Sequence, residues 1–235
     1  MAQASGKPEK NLNDELSITE KLNEFLQKNR IKLVIGLAAV LVILAGFVIF
    51  NVVSDKIKSN AFTAIDDLNR RYEALKPLIG SETDSASGEA DITALLEDLD
   101  GFSKKNSGFA AARSYSLMAG IYWDKKNWAE AEKAWSASAK AAGKSYLAPV
   151  SLYNAAMAAE EQGDINSAID LLNSALGYGS DFPAAAKAQF SIGRLEESRD
   201  NKSAALEAYH TLVSKWPGDQ VWANLAQNRI IVLSE

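Results

Sequence analysis

Few side chains in this 235-residue chain have the types and spacing that chemistry needs. The sole histidine is His210, and there is no cysteine. Disulfides, thiolate zinc sites and cysteine nucleophiles are therefore excluded. Without a second histidine, neither a histidine zinc site nor a Ser-His triad with a second base finds its members. Gly143-Lys144-Ser145 has the ending of a phosphate-binding loop. That loop also needs a glycine five residues earlier, where Ser138 stands, and a preceding strand, which the pattern lacks. Glu97, Asp98 and Asp100 are too close in sequence to point one way, so they read as a solvated helix face rather than an acid–base pair. Asn201-Lys202-Ser203 is a formal glycosylation sequon in a turn between helices. These residues imply no catalytic centre, no metal and no cofactor.

The elements that would position any site are dominated by one stretch. Residues 33–53 read LVIGLAAVLVILAGFVIFNVV, 21 positions without a charge. At about 1.5 Å per helical residue this spans roughly 30 Å, the hydrocarbon thickness of a bilayer. Only a helix satisfies its own backbone there, so one transmembrane helix is expected. It is longer than a signal-peptide core and begins too late in the chain, so it reads as an uncleaved anchor. Lys21, Lys28, Arg30 and Lys32 precede it, and only Lys56 and Lys58 follow as closely. This excess puts the N-terminus in the cytoplasm and the C-terminal domain outside it, in a single-pass inner-membrane protein with a periplasmic domain.

Net charge is −5. Beyond residue 32 the chain carries 19 Lys/Arg against 25 Asp/Glu, so nucleic acid is not an expected partner. Residues 1–16 are polar and read as disordered. Ser17-Ile18-Thr19-Glu20 fits a capping box opening a short helix, with Ile18, Leu22, Phe25 and Leu26 on one face. It is read as lying at the membrane surface or docking a cytoplasmic partner. After the span, Phe62, Ile65, Leu68, Tyr72 and Leu75 recur at helical steps, ending at Pro77 and Gly80. Residues 80–91 read as a loop. Ile92, Leu95, Leu96, Leu99 and Phe102 begin another amphipathic helix.

From residue 107 helical segments alternate with short breaks, and no strand pattern appears. Ala131, Ala168 and Ala205 stand 37 residues apart. Four residues beyond each is a large apolar side chain: Trp135, Leu172, Tyr209. Twelve before each is a small one: Ala119, Ala156, Gly193. Helices of a pair approach closely only where facing residues are small, and no pair buries its apolar face alone, so the pairs must stack.

Over residues 112–217 the chain resembles the tetratricopeptide repeat (TPR) family. The second unit matches well through Gly163-Asp164, Ala168 and Ala175. Gln189 stands where an aromatic is usual, Ser138 and Leu212 replace the third small residue, and the period exceeds the usual one. The expected class is all-α: a transmembrane helix followed by a TPR-like α-solenoid. The segments are an N-terminal cytoplasmic stretch (1–32), the span (33–53), leading helices (54–106) and repeats (107–235). Repeat units fall near 112–142, 149–179 and 186–216, with a capping helix at 219–234. This layout, with Leu99 to Phe102, Ser107 to Ala110 and Trp128 to Ala131, resembles the bacterial ancillary SecYEG translocon subunit family.

The TPR resemblance implies a concave groove lined by the first helix of each unit. Carried over, it gives Arg113, Ser116, Trp123 and Asp124; Tyr153, Met157, Glu160 and Glu161; and Lys187, Phe190, Arg194 and Glu197. Aromatics, a methionine and mixed charge suit an extended peptide or a partner helix. Tyr153, Met157, Phe190 and Arg194 would form its centre, with Arg194 meeting a carboxylate. The alternative is that the leading helix at 56–77 fills the groove. A carboxylate clamp of chaperone-binding type fails, because Ser116 and Gly120 stand where a lysine and an asparagine are needed. The implied role is a membrane-anchored interaction module whose partners are translocon or chaperone proteins. The competing role is a structural subunit of an envelope assembly, such as a motor collar or outer-membrane assembly scaffold.

Overall fold

The computed structural model describes residues 12–79 and 86–235. Among the described residues all regular structure is helical, as the expected class requires. In order these are α1 (Leu12–Leu75), α2 (Ala86–Lys105), α3 (Gly108–Asp124), α4 (Trp128–Ala142), α5 (Leu147–Glu161), α6 (Ile165–Leu176), α7 (Ala185–Ser198), α8 (Lys202–Lys215) and α9 (Gln220–Ser234). Single 3₁₀ turns occupy Lys76–Leu78 and Gly179–Asp181.

Three local expectations are corrected. The capping box at Ser17 opens no helix, because α1 already runs through it from Leu12. Extending a formed helix adds one hydrogen bond per residue fixed, whereas starting a new one is costly, so a cap motif inside a propagating helix goes unused. Of the stretch read as disordered, residues 12–16 are helical and residues 1–11 lie outside the described ones. The loop expected at 80–91 is shorter, since α2 begins at Ala86; residues 80–85 lie outside the described ones. Glu89 in the first turn of α2 suits the helix dipole and pairs with Lys125 at the end of α3.

The chain divides between Ile57 and Lys58 into two units. In the first, all residues from 33 to 53 are exposed, Val42 to 71% and Phe50 to 70%. By length and composition this helix can cross a membrane.

The second unit is a stack of helix pairs. Its leading part buries Ile65, Leu68 and Tyr72 of α1 against Ile92, Leu95 and Leu99 of α2 and Leu117 and Ile121 of α3. The pairs α3–α4, α5–α6 and α7–α8 follow, and α9 packs on α8 and α7. Ala119, Ala131, Ala156, Ala168 and Ala205 are wholly buried, because any larger side chain would separate the helices of a pair. Leu172 and Tyr209, one turn beyond the alanines, are wholly buried too.

The tight turns share one geometry. Lys126 (φ 56°), Gly163 (φ 79°) and Asp200 (φ 60°) take the left-handed conformation at equivalent points, 37 residues apart. Only the second carries glycine, the residue for which that conformation is free of strain. Asn127 and Asp164 then cap α4 and α6, accepting from the amides of Glu130 and Ser167 at 3.4 and 3.0 Å.

The departures from the repeat pattern have structural reasons. Buried Ser138 donates to the Ala112 carbonyl at 2.8 Å. Having one hydrogen, it must accept from Ser116 and Ser151, at 2.9 and 2.8 Å. Three hydroxyls thus tie α3, α4 and α5. Buried Gln189 donates to the Ala208 carbonyl at 3.2 Å, joining α7 to α8 where an aromatic would only pack.

Candidate functional site

The inner helices of the stack are α3, α5, α7 and α9, and their facing residues differ along its length. At α3 the face is occupied by the chain itself. Arg113 lies 3.9 Å from Asp66 of α1. Phe109 meets the Phe62 ring with centroids 6.2 Å apart. A Cβ on Gly120 would stand 3.0 Å from the Tyr72 hydroxyl, so glycine admits that tyrosine. Burial raises the Asp124 carboxyl above its ordinary value, while the charge of Lys76 opposes the rise. Burial, with Asp124 second, raises the Tyr72 phenol. The stretch from Phe62 of α1 to Lys76 just beyond its end therefore packs on this face. Trp123 does not line it either. Its indole packs on Trp128 and Trp135 of α4, at centroid distances of 4.8 and 5.5 Å. Ser116 is likewise turned to Ser138.

At α5 and α7 the facing residues pack on the repeats themselves. Tyr153 and Met157 are half-buried against the apolar cluster of the second pair. The Tyr153 ring meets Phe182 at 6.3 Å and carries the Lys187 ammonium 5.1 Å from its centroid. Lys187 is exposed, and among the described residues no carboxylate forms a salt bridge with it.

Arg194 is already paired. Its two terminal nitrogens donate to the two Glu160 oxygens, each at 2.6 Å, in a fork-to-fork bond between α7 and α5. Hydrogen bonding to Glu160 raises the guanidinium pKa further. Glu161 is exposed beside the pair. Phe190 is half-buried between Tyr209 and Trp222, with centroids at 5.3 and 5.4 Å. Glu197 accepts from the Tyr209 hydroxyl at 2.5 Å, from Arg229 Nε at 3.0 Å and from a terminal nitrogen of Arg229. Bonds from Arg229 hold its carboxyl below the ordinary value.

Of the residues drawn from the sequence, Tyr153, Met157, Glu160, Lys187 and Arg194 come together on adjacent helices, with Phe190 and Glu197 continuing toward α9. Arg113, Trp123 and Asp124 are held elsewhere by α1 and α4. Sequence reasoning missed that Arg194 and Arg229 each have an internal carboxylate. The signal was an acid 34 or 32 residues before an arginine, slightly under one repeat.

The residues screened for chemistry do not converge. Among the described residues no three His, Asp or Glu side chains are placed to hold a metal ion. His210 is exposed on α8. Gly143 to Ser145 form the turn between α4 and α5. Asp98 pairs with Arg71 and Asp100 with Lys104. The sequon asparagine donates its amide to Glu196 at 2.8 Å.

A family profile described as tetratricopeptide repeat matches residues 110–178. A TPR repeat-containing protein of Treponema pallidum (strain Nichols) is 30% identical over 225 residues, covering 91% of this chain and 93% of that protein. The nearly identical TPR-like repeats assigned to a kinesin light chain of Podosopora anserina superpose on 72% of this chain with a TM-score of 0.51 and 13% identity, covering 86% of that structure. A substituted form of the same repeats superposes on 72% of this chain with a TM-score of 0.52. At that identity the likeness concerns the fold.

Proposed function

We propose that this chain, which belongs to the tetratricopeptide-repeat family, is a membrane-anchored module that binds protein segments in the groove on α5 and α7. The uncharged, exposed surface of residues 33–53 carries the anchoring part of this reading. Left in water, that surface would be a severe liability; in a bilayer it is the stabilising contact. The lysines and arginine before it favour a cytoplasmic N-terminus and repeats on the periplasmic side of a bacterial inner membrane. Protease added to spheroplasts is expected to digest residues 54–235 and spare the first 30 or so. Protection of the repeats would reverse the topology.

Tyr153, Met157 and Lys187 offer apolar area and an unneutralised cation next to each other, which suits a segment with an aliphatic side chain and a carboxylate. The Glu160–Arg194 pair holds the groove wall in one geometry, so little side-chain freedom is lost on binding. Covalent linkage to the span raises the effective concentration of a membrane partner, and a modest groove affinity then suffices. With the resemblance in layout, this favours assistance to protein translocation or periplasmic chaperoning at the translocon.

Photo-crosslinking from position 153 or 187 in the anchored chain tests the site and the role together. Crosslinks to translocon components are expected there, and crosslinks from position 124 are expected to stay within α1. Partner capture at 124 with none at 153 or 187 would remove the groove reading. Capture of envelope structural proteins in a stable cage would replace the translocon role with that of a scaffold.

A further inference from the structure

We propose that the trough between α2 and α4, floored by α3, is a second docking site, which takes a basic amphipathic segment of another protein with a lysine or arginine set over Tyr115 and Tyr122. It uses none of the groove residues on α5 and α7 and is independent of them.

Two adjoining cavities of about 470 and 590 Å³ share Tyr115 and Ala137 and together follow α3 from Gly108 to Tyr122. At 1.5 Å per residue that floor is roughly 21 Å long, the length of a helix of about 14 residues. Repeat equivalence shows the trough to be specific to this place. The floor side chains Tyr115, Met118 and Tyr122 correspond, 37 and 74 residues on, to Leu152, Ala155 and Ala159, then Gln189, Ile192 and Glu196. Five of those six are buried and Leu152 is half-buried. Tyr115, Met118 and Tyr122 are half-buried, as Leu152 is, but Met118 and Tyr122 stand where the later pairs bury Ala155, Ala159, Ile192 and Glu196. The later pairs close over the Met118 and Tyr122 positions; the first does not.

Composition decides the occupant. On the α4 side, Ala134, Ala137 and Ala141 form a wall of methyl groups that lets a helix backbone come close. At the Tyr115–Tyr122 end the rim carries Glu97, Asp100, Glu130 and Lys133, while Lys140 lines the other end. Asp100 is paired with Lys104 and Glu130 with Lys133, but among the described residues Glu97 forms no salt bridge. Burial, then the charges of Glu130 and Asp100, raises the Tyr122 phenol and keeps it neutral. At this end the Tyr115 and Tyr122 rings and the one carboxylate unpaired among the described residues, Glu97, attract a cation through the ring faces and by charge. An acidic or uncharged side chain gains neither at this end.

The test uses the full chain in a non-ionic detergent and two helical Ala/Leu/Gln peptides of about 15 residues. One carries a central arginine and the other glutamate at the same position. The arginine peptide is expected to bind at least roughly tenfold tighter, and Glu97→Lys, an exposed change, is expected to invert that preference. Tyr122→Ala should weaken the arginine peptide with both peptides then bound alike. Equal binding of the two peptides by the wild type, or binding of neither, overturns the proposal. So does an arginine preference that survives Glu97→Lys. A dimer of this chain that Glu97→Lys dissociates, without any peptide preference, would assign the trough to a second copy and also overturn it.

Discussion

Gly193→Ala is expected to destabilise the third repeat by about 1–3 kcal/mol, against the ordinary sign of that substitution. In an unobstructed helix interior, alanine in place of glycine stabilises by roughly 0.5–1 kcal/mol. Here the new Cβ would lie 2.4 Å from Tyr209 Cε1 and within 2.8 Å of two further ring atoms. The ring has nowhere to move. Tyr209 is wholly buried, its hydroxyl is bound to Glu197 at 2.5 Å and its face packs on Phe190. Relief must come from parting α7 and α8. The check is a double-mutant cycle with Tyr209→Leu, read by thermal melting and hydrogen exchange in α7 and α8. Against Tyr209→Leu, Gly193→Ala should be neutral or stabilising. A raised melting temperature for Gly193→Ala alone would mean that the helices do not approach as described.

That contact also shows what the sequence could and could not reveal. Small residues at 119, 156 and 193, twelve before the alanines, are demanded by helix–helix distance, a constraint on each position separately. A constraint of that kind survives in a single sequence as a period. The long apolar run is legible for the same reason, since residues 33–53 lack a charge at every position, a property that each position carries separately. Pairings between units are of another kind. Arg194 and Phe190 lie on one face of α7, and from sequence alone Arg194 reads as free to meet a ligand. Its bond to Glu160 depends on the offset between neighbouring inner helices, a tertiary quantity that neither helix encodes alone. Trp123 shows the same limit. Its place in the repeat puts it on the inner face, but Trp128 and Trp135 offer it two aromatic surfaces on α4, and a large ring gains more by burial there. The packing of α1 on α3 was legible only as an alternative. Gly120 was the signal, the position that leaves room for Tyr72.

Glu197→Ala is expected to loosen the end of the stack, at a cost of about 1–3 kcal/mol that falls on α8 and α9. Glu197 is the common acceptor of Tyr209 on α8 and Arg229 on α9. Without it the buried phenol loses its acceptor, which accounts for most of the cost. Arg229, 40% exposed, recovers much of its loss by hydration. Glu197→Gln keeps an acceptor and should cost less. The pH dependence separates this role from simple packing. The Glu197 carboxyl is held below its ordinary value in the folded chain, first by its bonds from Arg229, with burial opposing. Its contribution is therefore complete above the unfolded value, near 4.3, and is lost as pH falls through the lower folded value. The Tyr209 phenol is raised, first by burial and then by Glu197, so its contribution holds at neutral pH and declines only in the alkaline range, above roughly 10. The difference in melting temperature between wild type and Glu197→Gln should thus be constant from about pH 6 to 9 and shrink toward acid. Protection of α8 and α9 from hydrogen exchange should follow the same course while α3 to α6 change little, because in a stack each pair answers mainly to its neighbours. A difference independent of pH down to about 3 would leave Glu197 as a packing residue and the junction of α7, α8 and α9 without an ionic tie.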